Sequence, residues 1–497
     1  MLRVGAVAGA AGIGIHWANL GLPAVTAAEA RIDPESVRLR PEIEPLVRLL
    51  EETPRERLVE QVAARIHAGT SYRDVVAALL LAGVRNVQPR PSVGFKFHAV
   101  LVVQSVHLAS QAAADSDRWL PIFWALDYFK DSQARDVREG DWTMQPVEES
   151  LVPSAASAAD AFERAMDRWD ESAADAAAAG LARHGQPANV FELMFRYGAR
   201  DFRSIGHKAI FAANAHRTLG VIGWQHAEPV LRSLAYAMLQ HEGGNPADRS
   251  DGADLPGRRN QRLIGGIDGS WVDGSSDRGA TTALLSVLRS GTEEEACNAV
   301  VDALNRGVGA VTVWDALFAA ASELLLRQPG IVALHAVTTT NALHYAFREA
   351  KLDETRRFVT LQNAAFLPLF RDAMGGRGRV ADRRIDAVEP ADPPSGDNAA
   401  AELMAEVSRD PIAAMRQVLG YLQANGDARR LADSAHRVLL HKGDDAHDFK
   451  YASALFEDYS LISPAWRDRC LATGALRWHG ALDRENPLVE RVRAAFA

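Results

Sequence analysis

Four tandem helical units, forming a solenoid or a closed helical ring in an all-α chain, are the fold this sequence predicts. Three observations carry that expectation. Strand signals are nearly absent, one helix–glycine–helix motif returns four times, and a histidine follows each return. The motif occupies residues 64–79, 181–195, 304–318 and 421–436, with its glycine at Gly69, Gly185, Gly309 and Gly426. These anchors lie 116, 124 and 117 residues apart. Glycine is the expected terminator because it enters the left-handed region without a Cβ penalty.

A third helix is expected to open near His98, His207, His335 and His447, which follow their glycines by 29, 22, 26 and 21 residues. A fourth begins near an aromatic: Trp119, Trp224, Phe358 or Trp466. The spacing therefore predicts units of four helices at roughly 50–150, 160–243, 280–375 and 400–497, within one helical-repeat domain over 31–497. Two segments interrupt the pattern. Residues 243–279 are rich in Gly, Asp and Ser but carry Trp271 as an apolar anchor, which predicts an ordered lid. Residues 375–398 read as a plain linker.

At 497 residues the chain exceeds what one simple core organises, in keeping with a repeat array. A net charge of −9 excludes nucleic acid as the main partner, and the Arg pairs at 258–259, 356–357 and 383–384 are scattered among carboxylates. Two cysteines, Cys297 and Cys470, exclude a cysteine zinc cage, an iron–sulfur cluster and attached c-type haem. No P-loop, G-x-G-x-x-G, G-x-S-x-G or HExxH occurs, which argues against a flavin or nicotinamide enzyme of Rossmann type. Residues 1–30 form a short, Gly- and Ala-rich apolar segment behind Arg3, followed by a small-residue stretch suited to cleavage. They resemble the tail of a twin-arginine signal and predict export to the periplasm or the medium, with a cytoplasmic protein as the alternative. No stretch suits a membrane span.

The chemistry rests on the four helix-start histidines. In a pseudo-symmetric array, equivalent positions face one axis, so His98, His207, His335 and His447 would meet in one cavity. Neutral imidazoles there suit a transition metal, iron first, with copper, manganese or zinc as alternatives, and His207, His335 and His447 also suit catalytic proton transfer. The carboxylates Asp74, Glu192, Asp315 and Asp433 follow the glycines and read mainly as acids of a helix's first turns. His107, His216 and His344 come nine residues after three of the ligand candidates. Nine residues turn a helix by about 900°, so these face away from the first set. Trp224 and His226 are the expected substrate-binding pair, and Lys96 and Lys450 lie close enough in sequence to neutralise an anion.

Three segments, residues 206–210, 334–338 and 446–452, resemble His-plus-apolar helix starts of the questin oxidase-like family. That family comprises helical enzymes linked to oxidative ring opening of anthraquinone-type compounds. The resemblance covers about a fifth of the chain and implies oxidative chemistry. Together these features predict an oxidoreductase, a metal-dependent oxygenase acting on a small organic or aromatic substrate in a histidine-lined helical cavity. The alternatives are a metal-dependent hydrolase or lyase, and a helical-repeat binding protein without catalysis.

Overall fold

The computed structural model describes residues 39–497, and its regular elements are all helical. The signal-like segment 1–30 lies outside the described residues. Among the described residues a single isolated bridge, Ser275 to Val308, is the only strand-like pairing, and no helix is long and apolar enough to cross a membrane.

The first unit comprises α1 (Glu44–Glu52), α2 (Arg55–His67), α3 (Tyr72–Asn86), the interrupted helix α4 (His98–Leu101) and α5 (Val103–Ala112), and α6 (Leu120–Glu139). The second comprises α7 (Ala158–Arg168), α8 (Glu171–His184), α9 (Pro187–Gly198), α10 (His207–Ile222) and α11 (Ala227–Met238). After the interposed α12 (Leu255–Leu263) come α13 (Arg278–Ser290), α14 (Glu293–Asn305), α15 (Ala310–Arg327), α16 (Ile331–Glu349) and α17 (Asp353–Gly375). The fourth unit comprises α18 (Ala399–Val407), α19 (Pro411–Gln423), α20 (Ala428–Lys442), α21 (Ala446–Tyr459) and α22 (Arg467–Ala472), and α23 (Leu488–Phe496) ends the chain.

Each unit thus has five helices where the spacing predicted four. The addition is the short leading helix (α1, α7, α13 or α18), whose stop is local: Trp169 ends α7 in the left-handed region, and Pro54 follows α1. The next helix then opens on a fresh cap, with Asp170, Thr292 and Asp410 accepting hydrogen bonds from the first-turn amides of α8, α14 and α19. The glycine anchors also need correction. Only Gly69 is left-handed (φ 104°); Gly307 and Asn425 take that role in units three and four, and Gly185 is extended. Gly185 is still needed, because a Cβ there would meet Val190 at 2.5 Å.

The packing repeats from unit to unit. α3 packs on α11, α9 on α17 and α15 on α22, while α20 packs on α6 of the first unit. The histidine-bearing helices contact one another in the same order: α5 with α10, α10 with α16, α16 with α21, and α21 with α5. The acids placed after the glycines serve these junctions. Glu192 on α9 accepts the amides of Lys351 and Leu352 at the start of α17, and Asp315 on α15 accepts the Ser463 amide at 3.0 Å ahead of α22. Asp74 closes the cap of α3 with Ser71, and Asp433 is exposed on α20.

Both interrupting segments are built into the body. Trp271 is 2% exposed, and its indole donates to Asp353 at 2.7 Å, so the 243–279 segment is anchored as expected. The 375–398 segment is not a plain linker: Ile385 is fully buried, its amide donates to Glu323, and its carbonyl accepts from Arg469 at 2.9 Å. An isoleucine flanked by charged residues gave no periodic signal from which this anchor could be read.

The nine-residue-later histidines pack between helices. His107 Nδ1 and His216 Nδ1 meet the hydroxyls of Tyr72 and Tyr345 at 3.0 and 2.9 Å, and His344 lies among Trp314, Phe318 and Phe347. Burial pushes the His344 imidazole down from 6.5 to about 3. Between those values the unfolded chain holds a proton that the folded chain refuses, so stability falls as the medium is acidified through that window. The slope from this one group reaches about 1.4 kcal/mol per pH unit. His344→Leu is therefore expected to flatten the pH dependence of the unfolding free energy between pH 6 and 4 by about one proton. Urea denaturation across that range checks it, and an unchanged slope would place the acid sensitivity elsewhere.

Candidate metal centre

The four predicted histidines converge. One ring nitrogen of each of His98, His207, His335 and His447 lies within 4.8 Å of every other. His207 Nε2 is 3.2 Å from His98 Nε2 and 2.9 Å from His335 Nε2. The ring centroids follow the order of the units, at 4.9, 4.3, 5.0 and 4.4 Å around the circuit and 6.2 Å across the His98–His335 diagonal. The four sides of this circuit are all shorter than that diagonal.

Local backbone fixes which nitrogen points inward. His98 Nδ1 donates to the Phe95 carbonyl at 2.9 Å, His207 Nδ1 to Ser204 at 2.5 Å and His335 Nδ1 to Ile331 at 2.7 Å. A carbonyl oxygen only accepts, so each Nδ1 carries the proton and each Nε2 presents a lone pair. His447 Nδ1 donates to Asp445 at 2.5 Å, and its Nε2 is buried without a partner. The His447 hydrogen bond holds Asp445 down at about 2, so Asp445 is an ionised acceptor. Metal-ligating histidines characteristically have the outer nitrogen oriented in this way.

Two of these carbonyls are aimed by left-handed backbone. Phe95 (φ 49°) precedes His98, while Ser204, Ile205 and Gly206 (φ 57°, 44° and 80°) precede His207. A β-branched residue such as Ile205 is strained there, and such strain persists where surrounding packing enforces it. The enforcing contact is close: a Cβ at Gly206 would overlap the Thr339 side chain of α16.

His98, His207 and His335 are 4%, 3% and 1% exposed, and His447 is half-buried. Burial is the main influence lowering all four imidazoles, and Lys450 on α21 lowers each of them further. Proton sharing between the facing lone pairs is thus opposed by desolvation and by a neighbouring cation. A coordinated metal ion relieves the same repulsion. With bonds of about 2.05 Å, a square or octahedral set requires neighbouring nitrogens about 2.9 Å apart and a tetrahedral set about 3.3 Å, and the edges of 2.9 and 3.2 Å lie between the two.

A Cβ at Gly94 would meet His207 Cε1 at 3.2 Å, His207 Nε2 at 3.4 Å and His98 Cε1 at 3.5 Å, so the Gly94 backbone lies against these two rings. Further along the histidine-bearing helices, beginning one turn past His207, His335 and His447, a cavity of about 20 Å³ is lined by Ile210, Thr338, Lys450, Gln104, Asn214 and neighbours. Arg217 and Glu457, paired at 2.6 Å, also line it. A larger cleft of about 610 Å³ adjoins the loops that carry the histidines, with walls at Pro91, Ser92, Arg203, Ser204 and Gln240. Ser204 belongs to both, its hydroxyl donating to Gln240 at 3.0 Å while its carbonyl holds His207.

The remaining expected site residues lie elsewhere. Trp224 and His226 follow the far end of α10, some 25 Å along the helix from His207. Trp224 donates to the Ala182 carbonyl at 3.1 Å, and burial and Arg40 lower His226. They are not substrate residues of this centre, because a helix-length offset separates an aromatic at one end of α10 from a histidine at the other. Lys96 is paired with Asp136 and Glu139 at 2.8 and 2.9 Å, whereas Lys450 Nζ is buried without a partner. A second group, Asp444, Asp448 and His479, also comes within reach of one ion. Its Asp448 Oδ2 already accepts from His479 and from the Asp444 and Asp445 amides, which makes it a cap for α21. Lys450 stands near the histidines, as its place in the sequence predicts, and acts on all four, whereas the approach of Gly94 to the His207 and His98 rings is legible only in three dimensions.

No family model matches the chain, and no curated protein or solved structure is significantly similar to it. The questin oxidase-like resemblance therefore stands on its three short segments. Gly94→Ala places a methyl against the His207 and His98 rings and is expected to weaken copper(II) or cobalt(II) binding at least about tenfold. Gly220→Ala, on α10 with open space at its Cβ, is the control. Titration of both variants with metal checks this, and equal affinities would remove Gly94 from the centre.

Proposed function

We propose that the protein is a metal-dependent oxidoreductase, an oxygenase of small organic substrates. His98, His207, His335 and His447 hold one transition ion, iron first, with copper or manganese next. The observation that carries this reading is the convergent set of inward Nε2 lone pairs. Edges of 2.9 and 3.2 Å admit tetragonal, octahedral and tetrahedral ions alike, and it is the resemblance of residues 206–210, 334–338 and 446–452 to helical oxidative enzymes that sets the oxygenase ahead of the zinc hydrolase reading. A redox-active ion held by these four imidazoles would supply one-electron chemistry. The donor set is four neutral rings, so a bound dication keeps its charge and favours anionic partners such as a deprotonated phenol or enol. A scaffold protein has no use for four buried histidines aimed at one point.

The chain's own residues do the positioning. Phe95, Ser204, Ile331 and Asp445 lock the tautomers, and Gly94 gives the ring edges room. The 610 Å³ cleft beside Ser92 and Ser204 is the proposed substrate site in place of Trp224 and His226. Arg203 and Gln240 in its wall offer polar recognition, and the 243–279 segment contributes Gly243, Arg249 and Asp251 to its edge. The repeated packing, with α20 on α6 and α21 on α5, supports a closed ring of four units over an open solenoid. In such a ring the four histidines occupy one equivalent position and must meet on the axis. The signal-like segment 1–30 would make this an exported protein.

Metal content and dioxygen uptake test the proposal together. Purified protein is expected to carry about one redox-active ion per chain, lost from both His207→Ala and His335→Ala. The loaded protein should consume dioxygen with phenolic or quinone substrates, and the variants should not. Metal-dependent hydrolysis without dioxygen uptake would overturn the oxygenase assignment while leaving the centre intact.

A further inference from the structure

Lys450 is a buried charge that the four-imidazole reading does not use. It lies one turn after His447 on α21, is 3% exposed, and its Nζ has neither a hydrogen-bond partner nor an ion pair. Asp445, the carboxylate that acts on it most, already accepts the His447 ring and amide. An amine buried without a partner is costly, because its desolvation is left uncompensated, and burial pushes Lys450 down to about 7. Such a group persists where a ligand completes it.

The space beside Lys450 is suited to a very small ligand. The cavity it lines, about 20 Å³, exceeds the roughly 10–15 Å³ that one water requires, and it opens among the histidine-bearing helices. Thr338, Gln104 and Asn214 share the wall, but their polar groups are largely engaged: Thr338 donates to the carbonyls of its own helix, Asn214 to the Leu101 carbonyl, and Gln104 accepts from Thr218. The cavity's nearest wall, Ile210, Thr338 and Lys450, lies one helical turn past His207, His335 and His447, which puts this space next to the histidine layer. The N-terminal ends of α10, α16 and α21 lie at the histidine layer and add positive potential there.

We propose that Lys450 and the four-imidazole centre form a site for one small monovalent anion, from hydroxide to azide in size, held in the cavity among the histidine-bearing helices with Lys450 Nζ as its hydrogen-bond donor. This rests on the metal reading above. It divides the protein's tasks: the enclosed space among the histidine-bearing helices takes the small anionic ligand, and the open cleft takes the organic substrate.

The test is an azide titration of full-length protein loaded with copper(II), followed by its ligand-to-metal absorption band and by calorimetry. Wild type is expected to bind one azide per copper. Lys450→Met, close in shape and without charge, is expected to bind azide at least about tenfold more weakly at equal copper content. Lys450→Gln, which keeps a donor, should fall between the two. Equal azide affinity in wild type and Lys450→Met overturns the proposal, as does a wild type that takes up copper but no azide. A wild type that takes up no copper fails at the earlier step and overturns the metal reading along with this one. If neither variant folds, the wild-type stoichiometry decides: one azide per copper supports the site, and none overturns it.

Discussion

Four imidazole lone pairs facing one another in a buried space are the constraint around which this protein is organised. Each is held there by the proton on its other nitrogen, which donates to Phe95, Ser204, Ile331 or Asp445. Without those acceptors the rings could rotate or change tautomer, and nitrogens 2.9 and 3.2 Å apart would not stay opposed. The left-handed turns at Phe95 and at 204–206 exist in this light to deliver a carbonyl where the imidazole needs one. Lowered basicity is the same fact seen electrostatically, since burial and Lys450 both disfavour an imidazolium.

The fold serves this arrangement by repetition. Each unit contributes one inner helix whose first or second turn carries the histidine, and the packing of α3, α9, α15 and α20 on α11, α17, α22 and α6 sets the inner helices side by side. Glu192 and Asp315 stiffen two of those junctions by capping the helix of the following unit, work that an acid in that position can do only if the neighbour is in register. The remaining inner-helix surface is polar, from Lys450 through Asn214 and Asn341 to the Arg217–Glu457 pair, which is unusual for the middle of a helical body and fits a ligand-bearing axis.

Much of this was written in the sequence, because pseudo-symmetry converts distance in space into repetition in sequence. His98, His207, His335 and His447 could be matched by their place after a glycine-ended helix, and matched positions in equivalent helices meet. What lacked a repeat was not legible. The short leading helices vary in sequence, Ile385 has no periodic neighbours, and a glycine four residues ahead of the histidine stands in only two units, at Gly94 and Gly443. Trp224 and His226 misled because nearness in sequence to a ligand helix was mistaken for nearness to its histidine end. Asp74, Glu192, Asp315 and Asp433 were indeed structural, but the partners of Glu192 and Asp315 lie in the next unit, beyond the reach of local reasoning.

X-ray absorption at the metal edge of the purified protein tests the central claim most directly. The account predicts one shell of four imidazole nitrogens at about 2.0–2.2 Å, with the outer-ring scattering typical of histidine and a fifth light ligand. A shell with two or fewer imidazoles, or protein that binds no redox metal under any condition, would contradict it.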